Sequence, residues 1–172
     1  MKILILNGSP RTNGNTAAMV KAYAEGATEA GNDVTVFEVC KKKIAGCLGC
    51  EYCHTKGQGV CVQKDDMQEL YELIKEAEML VIASPIYYFG FSAQLQAAIH
   101  RTYAIGIPRK LKKAALILSS GSDDVYDGAI YEYRKMCEWM ELTDIGILTA
   151  HGAENGSPAK LSEAHALGLR SL

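Results

Sequence analysis

Four short, almost unbroken apolar runs constrain this chain more than any other feature: Ile3 to Leu6, Met79 to Ala83, Ala114 to Leu118 and Ile145 to Ala150. Each is bounded by turn formers and too short for a stable helix, so each reads as a strand buried on both faces. A fifth run, Val34 to Val39, alternates more and reads as an edge strand. Helical periodicities fall between the runs. Met67, Leu70, Tyr71 and Ile74 follow the i, i+3, i+4, i+7 pattern, with Asp65 or Asp66 placed to cap the start. Ile130, Tyr133, Cys137 and Met140 repeat that spacing. Further helices are predicted from Thr16 to Ala30, from Ser92 to Tyr103 and from about Pro158 to Leu167, the last closed by Gly168. Strands that alternate with helices need right-handed crossovers, which makes the sheet parallel and covers both its faces.

Five strands in 172 residues fit a flavodoxin-like, doubly wound α/β fold with strand order 2-1-3-4-5 better than a six-stranded dinucleotide fold. One domain over residues 1–172 is expected, with a cysteine-rich loop at 45–64. In that topology a ligand sits outside the carboxyl ends of strands one and three. Composition narrows the function classes. With 48% hydrophobic and 22% charged residues, disorder is excluded as the main state. A formal charge of -2 leaves no basic excess for a nucleic-acid backbone. No apolar run approaches the roughly 20 residues that span a bilayer, and the opening apolar run is too short for a signal peptide. A cytoplasmic protein with no nucleic-acid or membrane partner is expected.

Strand one runs into Asn7-Gly8-Ser9-Pro10-Arg11-Thr12-Asn13-Gly14-Asn15-Thr16, and a helix follows. Hydroxyl and amide side chains, two glycines to let the backbone turn, and an exposed helix N-terminus converge donors suited to a phosphate. The loop is neither the nucleotide-hydrolase P-loop nor the Gly-x-Gly-x-x-Gly fingerprint. A plain turn with a helix cap uses the same residue types.

Gly8-Ser9-Pro10-Arg11 followed by Asn13-Gly14-Asn15-Thr16 resembles the phosphate loop of the NAD(P)H-dependent FMN reductase family. Ser84-Pro85-Ile86-Tyr87-Tyr88-Phe89 resembles that family's flavin-ring loop, and Gln94-Leu95 with Arg101 the helix beyond it. The resemblance implies that Ser9, Arg11, Asn13, Asn15 and Thr16 hold the FMN phosphate. It also implies that Pro85, Ile86, Tyr87, Tyr88 and Phe89 run along the isoalloxazine; core packing at a strand end is the other use for those three aromatics. Ser119-Ser120-Gly121-Ser122 forms a third crevice loop, which places Ser120 and Gly121 beside the ring's pyrimidine side or in a plain loop. Many members carry Lys and Asp in the helix after the flavin loop, where this chain has Gln96 and His100; His100 reads as a half-buried structural residue. The activity implied is electron passage from NAD(P)H through FMN to a small acceptor, such as a quinone, a free flavin, a metal ion or a nitro compound. The chemistry belongs to the cofactor and no side chain need act as acid or base. Relatives imply a homodimer or homotetramer.

Cys47, Cys50, Cys53 and Cys61 have the spacing C-x2-C-x2-C-x7-C, with Gly49, Gly57 and Gly59 to let the backbone wrap a ligand. Such a cluster in a chain without a disulfide pattern reads as an iron–sulfur or zinc site. It resembles the iron-sulfur flavoproteins, whose compact motif binds a 4Fe-4S cluster that delivers electrons to FMN. Other FMN reductases carry a similar stretch ending as Cys61-Val62-Gln63-Lys64-Asp65-Asp66-Met67 does here, without any cluster. A cluster, zinc, and a loop of free thiols over the flavin therefore all stand open, with a non-enzymatic thiol or zinc module as the remaining class. Cys40 and Cys137 read as packing residues. Lys41-Lys42-Lys43 and the group Arg109, Lys110, Lys112 and Lys113 read as solvated element ends. His54, His151 and His165 form no catalytic motif with their neighbours.

Overall fold

The computed structural model describes residues 1–171. Five parallel strands, β1 (Lys2–Asn7), β2 (Asp33–Glu38), β3 (Met79–Pro85), β4 (Lys113–Ser120) and β5 (Thr143–His151), stand in the order β2-β1-β3-β4-β5. They alternate with α1 (Asn15–Glu29), α2 (Met67–Glu76), α3 (Ala93–Arg101), α4 (Asp127–Met140) and α5 (Pro158–Leu169). This is the flavodoxin-like arrangement that the apolar runs call for.

Register sorts the strand residues by period two into two cores. Ile3 pairs with Met79 and Ile5 with Val81. These, with Ile117, face Met19 and Tyr23 of α1 and Leu167 of α5. The intervening Leu4, Leu6, Leu80, Ile82, Leu116 and Leu118 face the other way, onto Met67 and Leu70 of α2, Leu95 of α3 and Tyr133 of α4. Full burial of a Leu or Ile side chain contributes roughly 1.5–3 kcal/mol, so a one-residue slip of any central strand is strongly disfavoured.

The run at Ile145 to Ala150 departs from its reading as a strand buried on both faces. Leu148 and Ala150 are buried, but Ile145 and Ile147 are half-exposed, because β5 is an edge strand with only β4 beside it. Gly168 does not close α5, which runs on to Leu169. A Cβ on Gly168 would stand 2.2 Å from the Tyr23 carbonyl oxygen, and one on Gly26 would stand 2.1 Å from that of His165. Helices α1 and α5 thus touch backbone to backbone, and both glycines serve that approach. Asn32 ties the ends of the described chain together. Its Oδ1 accepts from the Met1 amine at 3.0 Å, and its Nδ2 donates to the Ser171 carbonyl at 2.6 Å.

Candidate functional site

The loops after β1, β3, β4 and β5 all emerge at the carboxyl edge of the sheet and enclose one crevice of about 320 Å³. The first loop is shaped from within. Asn7, buried at the end of β1, accepts the Ser9 amide at 3.0 Å and donates to Glu38 at 3.0 Å. The Ser9 hydroxyl accepts the Arg11 amide and donates to the Arg11 carbonyl, both at 3.2 Å. The glycines of this loop are not there to turn the chain. Gly14 has φ −87°, and Gly8 is not among the positive-φ residues. A Cβ on Gly8 would strike Leu95 Cβ at 2.8 Å, so its place is set by α3 packing against the strand end. Gly14 caps α1 without a side chain, which leaves the first-turn amides and the positive end of the helix dipole facing the crevice.

Ser9, Arg11, Asn15 and Thr16 line the crevice from this side, whereas Asn13 is exposed outside it. The Thr16 and Ser119 hydroxyls meet at 2.7 Å and seal the floor between α1 and β4. Pro85, Ile86 and Tyr87 form an apolar wall, and Ser120 and Gly121 the polar one opposite.

Tyr88 and Phe89 do not line the crevice. Tyr87 and Gly90 exchange both backbone hydrogen bonds, 3.0 and 3.2 Å, around a two-residue turn in which Tyr88 has φ 51° and Phe89 φ 69°. Two left-handed central residues make this a type I′ hairpin, a turn that ordinarily takes Asn-Gly. Its aromatics point outward, Tyr88 98% exposed and Phe89 58%, so core packing of this segment is ruled out. The Phe89 carbonyl seats against α4, where a Cβ on Gly128 would stand 2.7 Å from it. His100, read as half-buried, is exposed. Gln96 makes a polar contact from α3 to α4, donating to Glu132 at 2.9 Å.

The loop after β5 supplies residues that sequence reasoning missed. Gly152 and Asn155 line the crevice. Asn155 Nδ2 donates to the Ser120 carbonyl at 2.6 Å, while its Oδ1 is buried with no partner. A signal existed, because Asn155-Gly156-Ser157-Pro158 repeats the tetrapeptide Asn7-Gly8-Ser9-Pro10 of the first loop. Tyr126 ties the two polar loops, its hydroxyl donating to the Ala150 carbonyl at 2.8 Å and meeting Ser120 Oγ at 2.8 Å.

The four clustered cysteines line a second, small pocket of about 20 Å³, in the segment that links β2 to α2. Cys47 and Cys50 are exposed, Cys53 half-buried and Cys61 buried, and all are free thiols. Among the described residues no three His, Cys, Asp or Glu side chains converge on a single-ion position. Arg101 lines the same pocket and is only 1% exposed. It bonds Asp65 in a bidentate fork at 2.8 and 3.0 Å and donates to the Ala45 carbonyl at 2.9 Å, while its Nε has no partner. Of the two residues expected to cap α2, Asp66 holds the N-cap position without a side-chain cap bond, and Asp65 is occupied elsewhere. It does accept the Met67 amide at 3.2 Å, but its carboxylate is chiefly spent on Arg101 and on the Ala45 amide at 3.1 Å. Burial pushes its carboxyl up, and Arg101 with those two amides outweighs burial and holds it below the usual range. Burial also pushes the Cys61 thiol up, yet the Gln63 amide, Arg101 and Tyr71 bring it below its ordinary value. Cys40 donates to the Gly8 carbonyl at 3.3 Å, and Cys137 is buried on the core face of α4.

Residues 1–154 match the family model described as NADPH-dependent FMN reductase. An iron-sulfur flavoprotein of Archaeoglobus fulgidus is 34% identical over 81% of this chain and 64% of its own length. One from Methanosarcina thermophila is 26% identical over 100% of this chain and 90% of its own. The chain spans 52–64% of the length of the first three curated relatives it matches. Among solved structures, an NAD(P)H:quinone oxidoreductase from Methanothermobacter marburgensis superposes with TM-score 0.76 at 21% identity, over 98% of this chain and 94% of its own. No helix among the described residues is long and apolar enough to cross a membrane.

Proposed function

Because this chain belongs to the NADPH-dependent FMN reductase family, we propose that its four-loop crevice holds FMN and that the protein passes electrons from NAD(P)H to a small acceptor. One observation carries the reading. The crevice combines an uncapped helix N-terminus, an apolar wall at Pro85 to Tyr87 and a buried acceptor, Asn155 Oδ1, that the protein itself leaves unpaired. Those are the three complements that a phosphate, a flat ring and a ring or ribityl donor require. When bound, the flavin supplies hydride acceptance and onward electron donation.

The residues of this chain bind, orient and exclude water. Ser9, Arg11, Asn15 and Thr16 with the first-turn amides of α1 take the phosphate. Ile86 and Tyr87 cover the ring, and Ser120, Gly121 and Asn155 meet its polar edge. No side chain is asked to move a proton. The test is protein purified anaerobically, assayed for flavin and then for oxidation of NADH and NADPH with a quinone, a flavin, a ferric chelate and a nitroaromatic. Flavin-loaded protein that oxidises neither nicotinamide with any acceptor sinks the enzyme reading.

A second reading has its own support: an iron-sulfur flavoprotein electron carrier, with a 4Fe-4S cluster on Cys47, Cys50, Cys53 and Cys61. Four thiols around one pocket beside a buried guanidinium are the donor set such a cluster needs, and they do not form the tight tetrahedron of a single zinc. The pocket's volume requires Cys47 and Cys50 to reorient on loading, and both are exposed. Iron and acid-labile sulfide in the same anaerobic sample decide it. Their absence returns the four cysteines to the free-thiol state.

A further inference from the structure

Among the described residues Arg101 heads the largest fully buried side chains, and it is a charged one. Burying a guanidinium is costly unless it is paired and hydrogen-bonded, and here the pairing is incomplete. Two of its nitrogens serve Asp65 and Ala45, at either end of the cysteine loop. The third, Nε, is buried without a partner in a residue that lines the four-cysteine pocket. The Asp65 fork accounts for a structural clamp, since it holds together the residues that enter and leave the loop. It does not account for a buried Nε–H left unmet in a side chain that lines the four-cysteine pocket.

We infer that Arg101 is the fixed counter-charge of the four-cysteine pocket, with Nε–H directed to anionic sulfur and Asp65 setting its position. The inference rests on the second reading above, that the pocket holds an iron–sulfur group. Four thiolates gathered around one small pocket repel one another, and adding an electron raises that repulsion. A cation fixed at the pocket wall therefore favours the reduced state over the oxidised one. The anionic Asp65 carboxylate works against it from farther away. Arg101 is a positioning and electrostatic residue in this scheme, and no bond is made to it.

The sign of the two opposed charges separates this role from a purely structural clamp. Arg101→Gln and Asp65→Asn both break the fork, so loss of a clamp predicts the same change in both. A counter-charge predicts opposite ones. The experiment is a spectroelectrochemical midpoint titration of the anaerobically purified wild type and of Arg101→Gln, Asp65→Asn and Arg101→Lys, with iron and sulfide counted in each sample. In Arg101→Gln the reduced-to-oxidised ratio at fixed potential should fall at least tenfold, a midpoint displaced by about 59 mV to the negative side for one electron. Asp65→Asn should move the midpoint to the positive side, and Arg101→Lys should stay within tenfold of wild type. If Arg101→Gln strands its carboxylate and fails to fold, the direction in Asp65→Asn and the value in Arg101→Lys still decide. Shifts of one sign in both fork variants, or unmoved midpoints in loaded protein, overturn the inference. Wild type without iron overturns instead the reading on which it stands.

Discussion

The outward-pointing hairpin at the crevice rim should be a site where the fold can be made more stable. Replacing Tyr88 by Asn and Phe89 by Gly installs the dipeptide that a type I′ turn favours. A left-handed conformation costs a residue with a Cβ roughly 1–2 kcal/mol, and here two such residues are adjacent, with φ 51° and 69°. Asn relieves part of that strain and Gly all of it. Against this, the new glycine adds roughly 0.5–1 kcal/mol of chain entropy to lose on folding. Phe89 is 58% exposed, and removing its covered part costs about 1 kcal/mol. Tyr88, 98% exposed, gives up almost no buried surface. The balance is a gain of about 0.5 kcal/mol, or roughly 1–2 °C in Tm for a domain of this size. The assay is equilibrium urea unfolding and calorimetry of flavin-free protein, because ligand bound only to the folded state would mask a change this small. A double variant no more stable than wild type would falsify the claim that the turn is strained. A stabilised variant with weaker turnover would show that the strained aromatics are retained for what they touch in the working protein.

Gly168→Ala should lower stability by about 2 kcal/mol in chemical denaturation, although alanine is the better helix former by about 1 kcal/mol, because the new methyl meets a backbone oxygen at 2.2 Å. A neutral or stabilised Gly168→Ala protein would contradict the α1–α5 backbone contact. Asp65 has a folded-state pKa below its ordinary 3.8, so its stabilisation is fully present above that value and is lost as pH falls through the folded one. The stability gap between wild type and Asp65→Asn should therefore hold steady from neutrality to about pH 5 and close below about pH 4; a gap that widens on acidification refutes the assignment. Asn155→Ala should weaken FMN binding by about tenfold, the loss of one hydrogen bond of roughly 1 kcal/mol with some loosening of the Ser120 loop. Fluorescence titration reads it directly, and an unchanged affinity removes Asn155 from the site.

The sheet was legible because its evidence is local. An apolar run of five residues between turn formers has few alternatives to a buried strand, and five such strands alternating with helices fit the flavodoxin-like order. What the chain concealed were contacts between distant segments. Gly168 near a helix end looks like a stop signal, and only the neighbouring Tyr23 carbonyl reveals it as a point of close approach. Arg101 is legible only as part of a helix that resembles the family's, and its burial depends on Asp65, 36 positions away. Tyr88 and Phe89 look like packing or ligand residues by type, since composition carries no sign of a left-handed turn. For the crevice, three of its four walls could be read from the loops that follow apolar runs, two of them polar and the one after β3 aromatic. The fourth, with Asn155, lay in a tetrapeptide that resembled a helix cap and serves as one through Ser157.

The junction at Asn32 has a mechanical consequence. Residues 1 and 171 meet on one side chain, so a pull applied between them loads this knot before it loads any strand. The knot is a handful of hydrogen bonds, assisted by the Tyr23 hydroxyl on Ser171 Oγ at 2.5 Å. Once it parts, the tension falls equally on β1, which is held between β2 and β3, and on α5, which is held by side packing and peels from α1 one turn at a time, starting with the turn that carries Gly168. The sheet, held by five strands in parallel register, yields only afterwards. The molecule is therefore built with a weak seam and a strong plate, and the crevice belongs mostly to the plate, since three of its four loops spring from β1, β3 and β4. Only the wall bearing Gly152 and Asn155, next to the start of α5, sits on the seam.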